Sequence, residues 1–155
     1  MLSLISGISW FIPKITVSPA NSLDNSNPFL TPFTISNDGY LSIYDVQFMC
    51  AVKEIKGINM KTKIPLVISG AENFKSKMHS KFHVAEVIAP NEKYTQVMPL
   101  PNFFLHYQIK HADIAILVSF RPIKWFPLKK EKNYRFITAQ NINGHLQWYP
   151  QPIKK

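Results

Sequence analysis

The stretch from Pro32 to Val52, PFTISNDGYLSIYDVQFMCAV, constrains the fold more than any other part of the chain. Phe33 and Ile35 share one side of an extended backbone and Thr34 and Ser36 the other, the two-residue period of a strand with one buried and one wet face. Asn37-Asp38-Gly39 then forces a reversal, because Asp-Gly tolerates positive φ and an asparagine side chain bonds its own downstream backbone. Beyond it Val46, Phe48, Cys50 and Val52 alternate with Gln47, Met49, Ala51 and Lys53, which predicts a longer amphipathic strand. The hairpin rule would pair the two strands directly.

The rest of the chain repeats the pattern. Lys14 to Val17 reads as a first strand closed by Ser18-Pro19, and Ala20 to Pro32 as a polar loop. Glu54 to Lys63 reads as a polar connection, and Ile64 to Ile68 as a strand that Pro65 confines to a sheet edge. Gly70 to Lys77 has marginal helical character; Met78, Ser80, Phe82 and Val84 then alternate with His79, Lys81 and His83. Ala89-Pro90-Asn91-Glu92 predicts a type I turn, opening a strand over Lys93 to Met98. Leu100 to His111 reads as loop, and Ala112 to Phe120, apolar on both faces, as a central strand. Asn133 to Ala139 and His145 to Tyr149 flank Asn143-Gly144, a strong hairpin signal, and Pro150, Pro152 and the last lysines read as a tail. The expected core comprises Phe33, Ile35, Val46, Phe48, Cys50, Val97, Ile116, Val118, Phe120, Phe136 and Trp148.

Phe33, Asn37, Gly39, Leu41 and Val46, in the order F-x-x-x-N-x-G-x-L-x-x-x-x-V, resemble the second and third strands of bacterial immunoglobulin-like sandwiches, including adhesion-type and fibronectin-type modules of cell-surface proteins. From Phe11 to Pro152 the chain is also similar to small bacterial proteins of unknown function that place such a sandwich behind an N-terminal membrane anchor. The resemblance implies an all-β, immunoglobulin-like sandwich of seven to nine antiparallel strands over 13–153, preceded by the apolar segment 1–12, in which the Asn-x-Gly segment arches between two sheets instead of closing a hairpin. That segment, MLSLISGISWFI, is too short to span a bilayer, which takes ~20 residues. It reads as a truncated membrane helix, a short interfacial anchor or simply a first strand; Trp10-Phe11 before Pro13-Lys14 suits a membrane boundary.

At 155 residues a single domain hides about 70% of its extended surface, so a sizeable core needs no disulfide. The lone Cys50 reads as a small buried hydrophobe and has no neighbouring activating partner in sequence. The net charge of +9 favours anionic surfaces, but it comes from 16 lysines and only 2 arginines, and nucleic-acid readers draw mainly on arginine forks. Five glycines supply no phosphate cradle. Ser22, Asp24, Asn25 and Asn27 bring one carboxylate and lack the glycine and closing glutamate of a calcium loop. His79 and His83 would share zinc on a helix but stand ~13 Å apart on a strand. An enzyme would need folding to join His79, His83, His106 or His111 to Glu86 or Asp113. No catalytic residue, cofactor or metal is therefore expected.

The most suggestive surface is Arg121 to Glu131, RPIKWFPLKKE. Arg121, Lys124, Trp125, Phe126, Lys129 and Lys130 suit a protein partner, an anionic lipid headgroup layer or, less well, nucleic acid. The alternative is that Trp125 and Phe126 cap the core while the lysines are solvated. The sequence thus predicts a non-enzymatic accessory or protein-binding module at the outer face of a bacterial inner membrane, its domain periplasmic or extracellular. The other reading is a cytoplasmic nucleic-acid-binding protein using its lysine-rich loops, in which the N-terminus is only a strand.

Overall fold

The computed structural model describes residues 13–23, 27–70, 79–97, 106–125 and 127–153, and for 79–82 the backbone alone. The described residues form nine strands: β1 (Ile15–Pro19), β2 (Pro32–Asn37), β3 (Ile43–Asn59), β4 (Pro65–Ser69), β5 (His79–Ile88), β6 (Lys93–Val97), β7 (Tyr107–Arg121), β8 (Lys130–Gln140) and β9 (Leu146–Gln151). They make two antiparallel sheets, one ordered β1-β2-β6 and one ordered β4-β3-β7-β8-β9, with β5 also paired to β3. The segments 1–12 and Gly70 to Lys77 fall wholly or largely outside the described residues.

Of the two placements open to β2 and β3, the chain adopts the arch: β2 pairs only with β1 and β6, and β3 with β4, β5 and β7. Asn37 makes the crossing possible. It is fully buried. Its Nδ2 donates to the carbonyls of Leu41 (2.8 Å) and Ile88 (3.0 Å), and its Oδ1 accepts from the Gly39 amide (3.2 Å). Its backbone N–H donates to Glu92 O and its carbonyl accepts from Asn91 N. One side chain thereby satisfies three backbone groups that leave both sheets at this corner, where each unmet bond is costly. A Cβ on Gly39 would stand 2.9 Å from Lys14 N, which accounts for the glycine.

The core lies between the sheets. Phe33 and Ile35 of β2 and Ile15 and Val17 of β1 face Phe48 and Cys50 of β3 and Ile114, Ile116, Val118 and Phe120 of β7. Trp148 and Phe136 complete it: the Phe33–Phe136 centroids stand 5.0 Å apart and edge-on, and Trp148 Nε1 donates to Pro28 O at 2.7 Å. Ten of the eleven expected core residues are buried. Val97 is not. It is 37% exposed and pairs with Pro32, sharing the outward side of the small sheet with Thr95 and Lys93, whereas Tyr94 and Gln96 stand opposite Ile35 and Phe33.

Four local expectations change. The segment Glu54 to Asn59 is strand rather than connection: a register shift between Val52 and Glu54 moves the inward set from Val46, Phe48, Cys50 and Val52 to Ile55 and Gly57, so strict alternation fails although the strand continues. The Ala89–Glu92 turn keeps its Glu92 N to Ala89 O bond, but Asn91 has φ +62°, the left-handed third position of type II and not of type I. β7 begins at Tyr107, inside the expected loop, and β9 runs through Pro150 to Gln151, inside the expected tail. β4 is an edge strand, as Pro65 predicts, and Asn143-Gly144 closes the β8–β9 hairpin with Gly144 at φ +77°.

Candidate functional site

The loop between β7 and β8, residues 122–129, is tied at its base by a carboxylate from β3. Asp45 occupies a bulge: Tyr44 pairs with Arg121 and Gln47 with Ser119, so two residues of β3 stand against one of β7. Asp45 itself has φ +48°, a conformation that aspartate tolerates better than most residues. The bulge turns its carboxylate towards the loop, where Lys129 Nζ lies 2.8 Å from Oδ2 and Arg121 Nε 3.5 Å from the same oxygen. Gln47 Nε2 donates to Oδ1 at 3.2 Å, and His83 Nε2 stands 3.7 Å from Oδ1. The Lys129 hydrogen bond, opposed by partial burial and helped by the charges of Lys129 and Arg121, holds the carboxyl below its ordinary range.

Of the six candidate residues, Arg121 and Lys129 are thus brought together on one counter-ion, and their charges serve the loop's own anchorage. Arg121 Nε is buried and has no hydrogen-bond partner among the described residues, so its contact with Asp45 is an ion pair only. Lys124 and Lys130 are exposed. Trp125 is 80% exposed, so it does not cap the core. Phe126 lies outside the described residues. Beside Trp125, Ile123 and Leu128 also reach solvent, and they give the loop an apolar tip above cationic flanks. Sequence reasoning missed Asp45, since the carboxylate lies outside the loop it anchors; a charged residue at the head of an apolar alternation was its only signal.

Several other charges are used structurally. Arg135 grips Asp113 with Nε 3.1 Å from Oδ1 and Nη2 2.6 Å from Oδ2, a forked contact across β7 and β8. Lys132 Nζ donates to Pro13 O at 3.3 Å and the Tyr134 hydroxyl to Ile15 O, joining β8 to β1 across the sandwich. Burial, with a smaller push from the Asp38 charge, raises the Tyr134 phenol to about 12. On the outer side of the small sheet, Thr16 and Ser36 donate to Asp38 and hold its carboxyl below the usual range, Ser36 most strongly.

Among the described side chains the histidines do not gather. His83 faces Asp45 and His111 lies 3.5 Å from Glu54, while Asp113 is taken by Arg135. His79 and His83 are both on β5, opposite Ala51 and Gln47, which is the extended spacing. Among the described residues no group of three or more His, Cys, Asp or Glu is placed to hold a metal ion. Asn27, considered as a calcium ligand, instead accepts from the Phe29 amide at 3.0 Å and starts a 3-10 turn. Among the described residues no helix is long and apolar enough to cross a membrane.

No protein-family model matches the chain, and no curated protein matches it.

Proposed function

We propose that this chain is a non-enzymatic binding module, an immunoglobulin-like sandwich carried at the outer face of a bacterial inner membrane, and that it presents the β7–β8 loop to a partner. Strand order supports the fold-level part. With β1, β2 and β6 read as strands A, B and E, and β3, β7 and β8 as C, F and G, the two sheets divide as they do in immunoglobulin sandwiches; β4 and β5 take the flank beside C, and β9 extends the sheet beyond G. The uncharged run 1–12 ahead of Pro13 supports the location.

The functional part rests on Trp125, an 80% exposed tryptophan on a loop whose base is held by the Asp45 contacts. A large side chain on an anchored loop loses little conformational freedom on binding, and tryptophan dominates binding energies for its area. The nucleic-acid reading is disfavoured because the chain has only two arginines, and one of them, Arg135, has its fork engaged by Asp113.

The test is a photo-crosslinking residue at position 125 and, as control, at Val67, which is 64% exposed on β4. It is read in cells that also express the chain with alkaline phosphatase after Lys155. Adducts at 125 and not at 67, with phosphatase active in the membrane fraction, support the proposal. Equal or absent adducts remove the loop as the binding surface; a soluble, inactive fusion removes the location. A single-stranded DNA titration with steep loss of affinity in salt would favour the nucleic-acid reading instead.

A further inference from the structure

The chain enters the sandwich at the end that carries the β7–β8 loop. Ile15 pairs with Asn37, Ile43 with Ile88 and Tyr44 with Arg121, so the entry at Pro13-Lys14, the β2–β3 arch, the β5–β6 turn and the loop share that end. The entry is pinned there: Asp38 N donates to Lys14 O at 2.7 Å and Lys132 Nζ to Pro13 O. The twelve uncharged residues MLSLISGISWFI join the sandwich at this point.

This end is amphipathic. Tyr40 is 68% exposed, Trp125 80% and Leu128 65%. Lys14, Lys124 and Lys130 are exposed around them. Of the carboxylates at this end, Asp38 is held by Thr16 and Ser36, Asp45 by Lys129, and Glu92 by the Ala89 amide at 2.7 Å, while Glu131 beside Lys130 is exposed. The opposite end lies across the seventeen residues of β3, about 50 Å at ~3.3 Å per residue. It exposes Met60, Ile64 and Ile142, but no described tryptophan is exposed there.

We propose that the end bearing Tyr40, Trp125 and Leu128 docks on the headgroup layer of an anionic bilayer, its aromatic rings at the apolar boundary and its lysines against lipid phosphates. Tryptophan and tyrosine suit that depth because each has an apolar body and one polar hydrogen-bonding group. Basic residues near an anionic leaflet add attraction that acts within about one Debye length. The inference rests on the loop being the binding surface, and it names the partner.

The experiment uses the full chain with Trp125→Cys or Ile142→Cys, each labelled with an environment-sensitive fluorophore. Cys50 is buried and its thiol is pushed up to about 12, so it stays unlabelled in the folded protein. With vesicles of phosphatidylglycerol and phosphatidylcholine the label at 125 brightens and shifts to the blue, the label at 142 does not, and phosphatidylcholine alone gives no change at either. At about fivefold per lysine, Lys124→Ser with Lys130→Ser lowers partitioning about twenty- to thirtyfold. No response at 125, equal responses at both positions, or partitioning that ignores the lysines overturns the proposal, as does a label that responds to single-stranded DNA and not to vesicles. Position-specific protein adducts at 125 in cells without a vesicle response overturn the lipid assignment alone; loss of both removes the loop as a binding surface as well.

Discussion

Asn37→Ala isolates the arch. The substitution removes two donated bonds and one accepted bond, taking the side-chain partner from the Ile88 carbonyl and the Gly39 amide in buried contacts and from the Leu41 carbonyl in a part-buried one. An unsatisfied buried backbone group costs about 1–3 kcal/mol, and a part-buried one that water reaches about 1. The expected loss is about 4 kcal/mol, a large share of the roughly 8–20 kcal/mol typical for a chain this long. At about 2–4 °C per kcal/mol, Tm falls by roughly 8–16 °C. Urea unfolding followed by tryptophan fluorescence, to which the buried Trp148 contributes, and by far-ultraviolet circular dichroism reads it, with an unchanged m-value showing that stability alone has moved. Asn141→Ala is the matched control: Asn141 Oδ1 accepts from Asn143 N (2.9 Å) and His145 N (3.0 Å), but in an exposed turn. Its loss should stay near 1 kcal/mol, since water replaces both partners. If Asn37→Ala costs no more than Asn141→Ala, the argument that a single side chain carries the crossing between sheets is refuted.

Asp45→Ala should leave the core intact and change Tm by only a few degrees, because its ion pairs are about a third exposed and screened, while hydrogen exchange over residues 122–129 accelerates. The same anchor responds to pH. Its carboxyl is depressed in the fold, so the stabilisation is fully present above the unfolded value near 3.8 and is lost as pH falls below the ordinary carboxylate range; loop exchange in the wild type should rise there and approach that of Asp45→Ala. Arg135→Ala leaves Asp113, with a side chain only 10% exposed, without its forked partner and should cost about 3 kcal/mol in urea unfolding. Asp113→Asn combined with Arg135→Gln should recover most of that loss, whereas equal costs for the single and double variants would mean that the pair's charge is irrelevant.

Much of the fold was legible wherever a strand kept one face to the core without interruption. Phe33 and Ile35, the run from Val46 to Val52, and Ala112 to Phe120 alternate or remain apolar over their full length, and burial follows that pattern. Gly144 and Pro65 act through their own backbones, one by accepting a positive φ and the other by lacking a donor, so their turn and edge positions needed no knowledge of neighbours. Legibility failed where a partner strand decides. Val97 belongs to a five-residue strand with apolar and polar side chains on both faces, and only its register against Pro32 turns it outward. The second half of β3 was hidden because a bulge breaks the two-residue period that reveals a strand.

The candidate loop was visible as composition and not as a machine. RPIKWFPLKKE marks cations and aromatics together, but which cations remain free depends on a carboxylate about 80 residues earlier in the chain, turned towards them by a bulge. What the sequence by itself determined is therefore local: strand periods, breakers, and the residues apolar enough that water drives them inward. What only the tertiary structure decided is relational. The arch rather than the hairpin, the capture of Arg121 and Lys129 by Asp45, and the gathering of Tyr40 and Trp125 at the end where the chain enters all depend on pairing between distant segments. Periodicity is a property of one strand, whereas pairing is chosen by the packing and hydrogen-bond satisfaction of the whole sandwich.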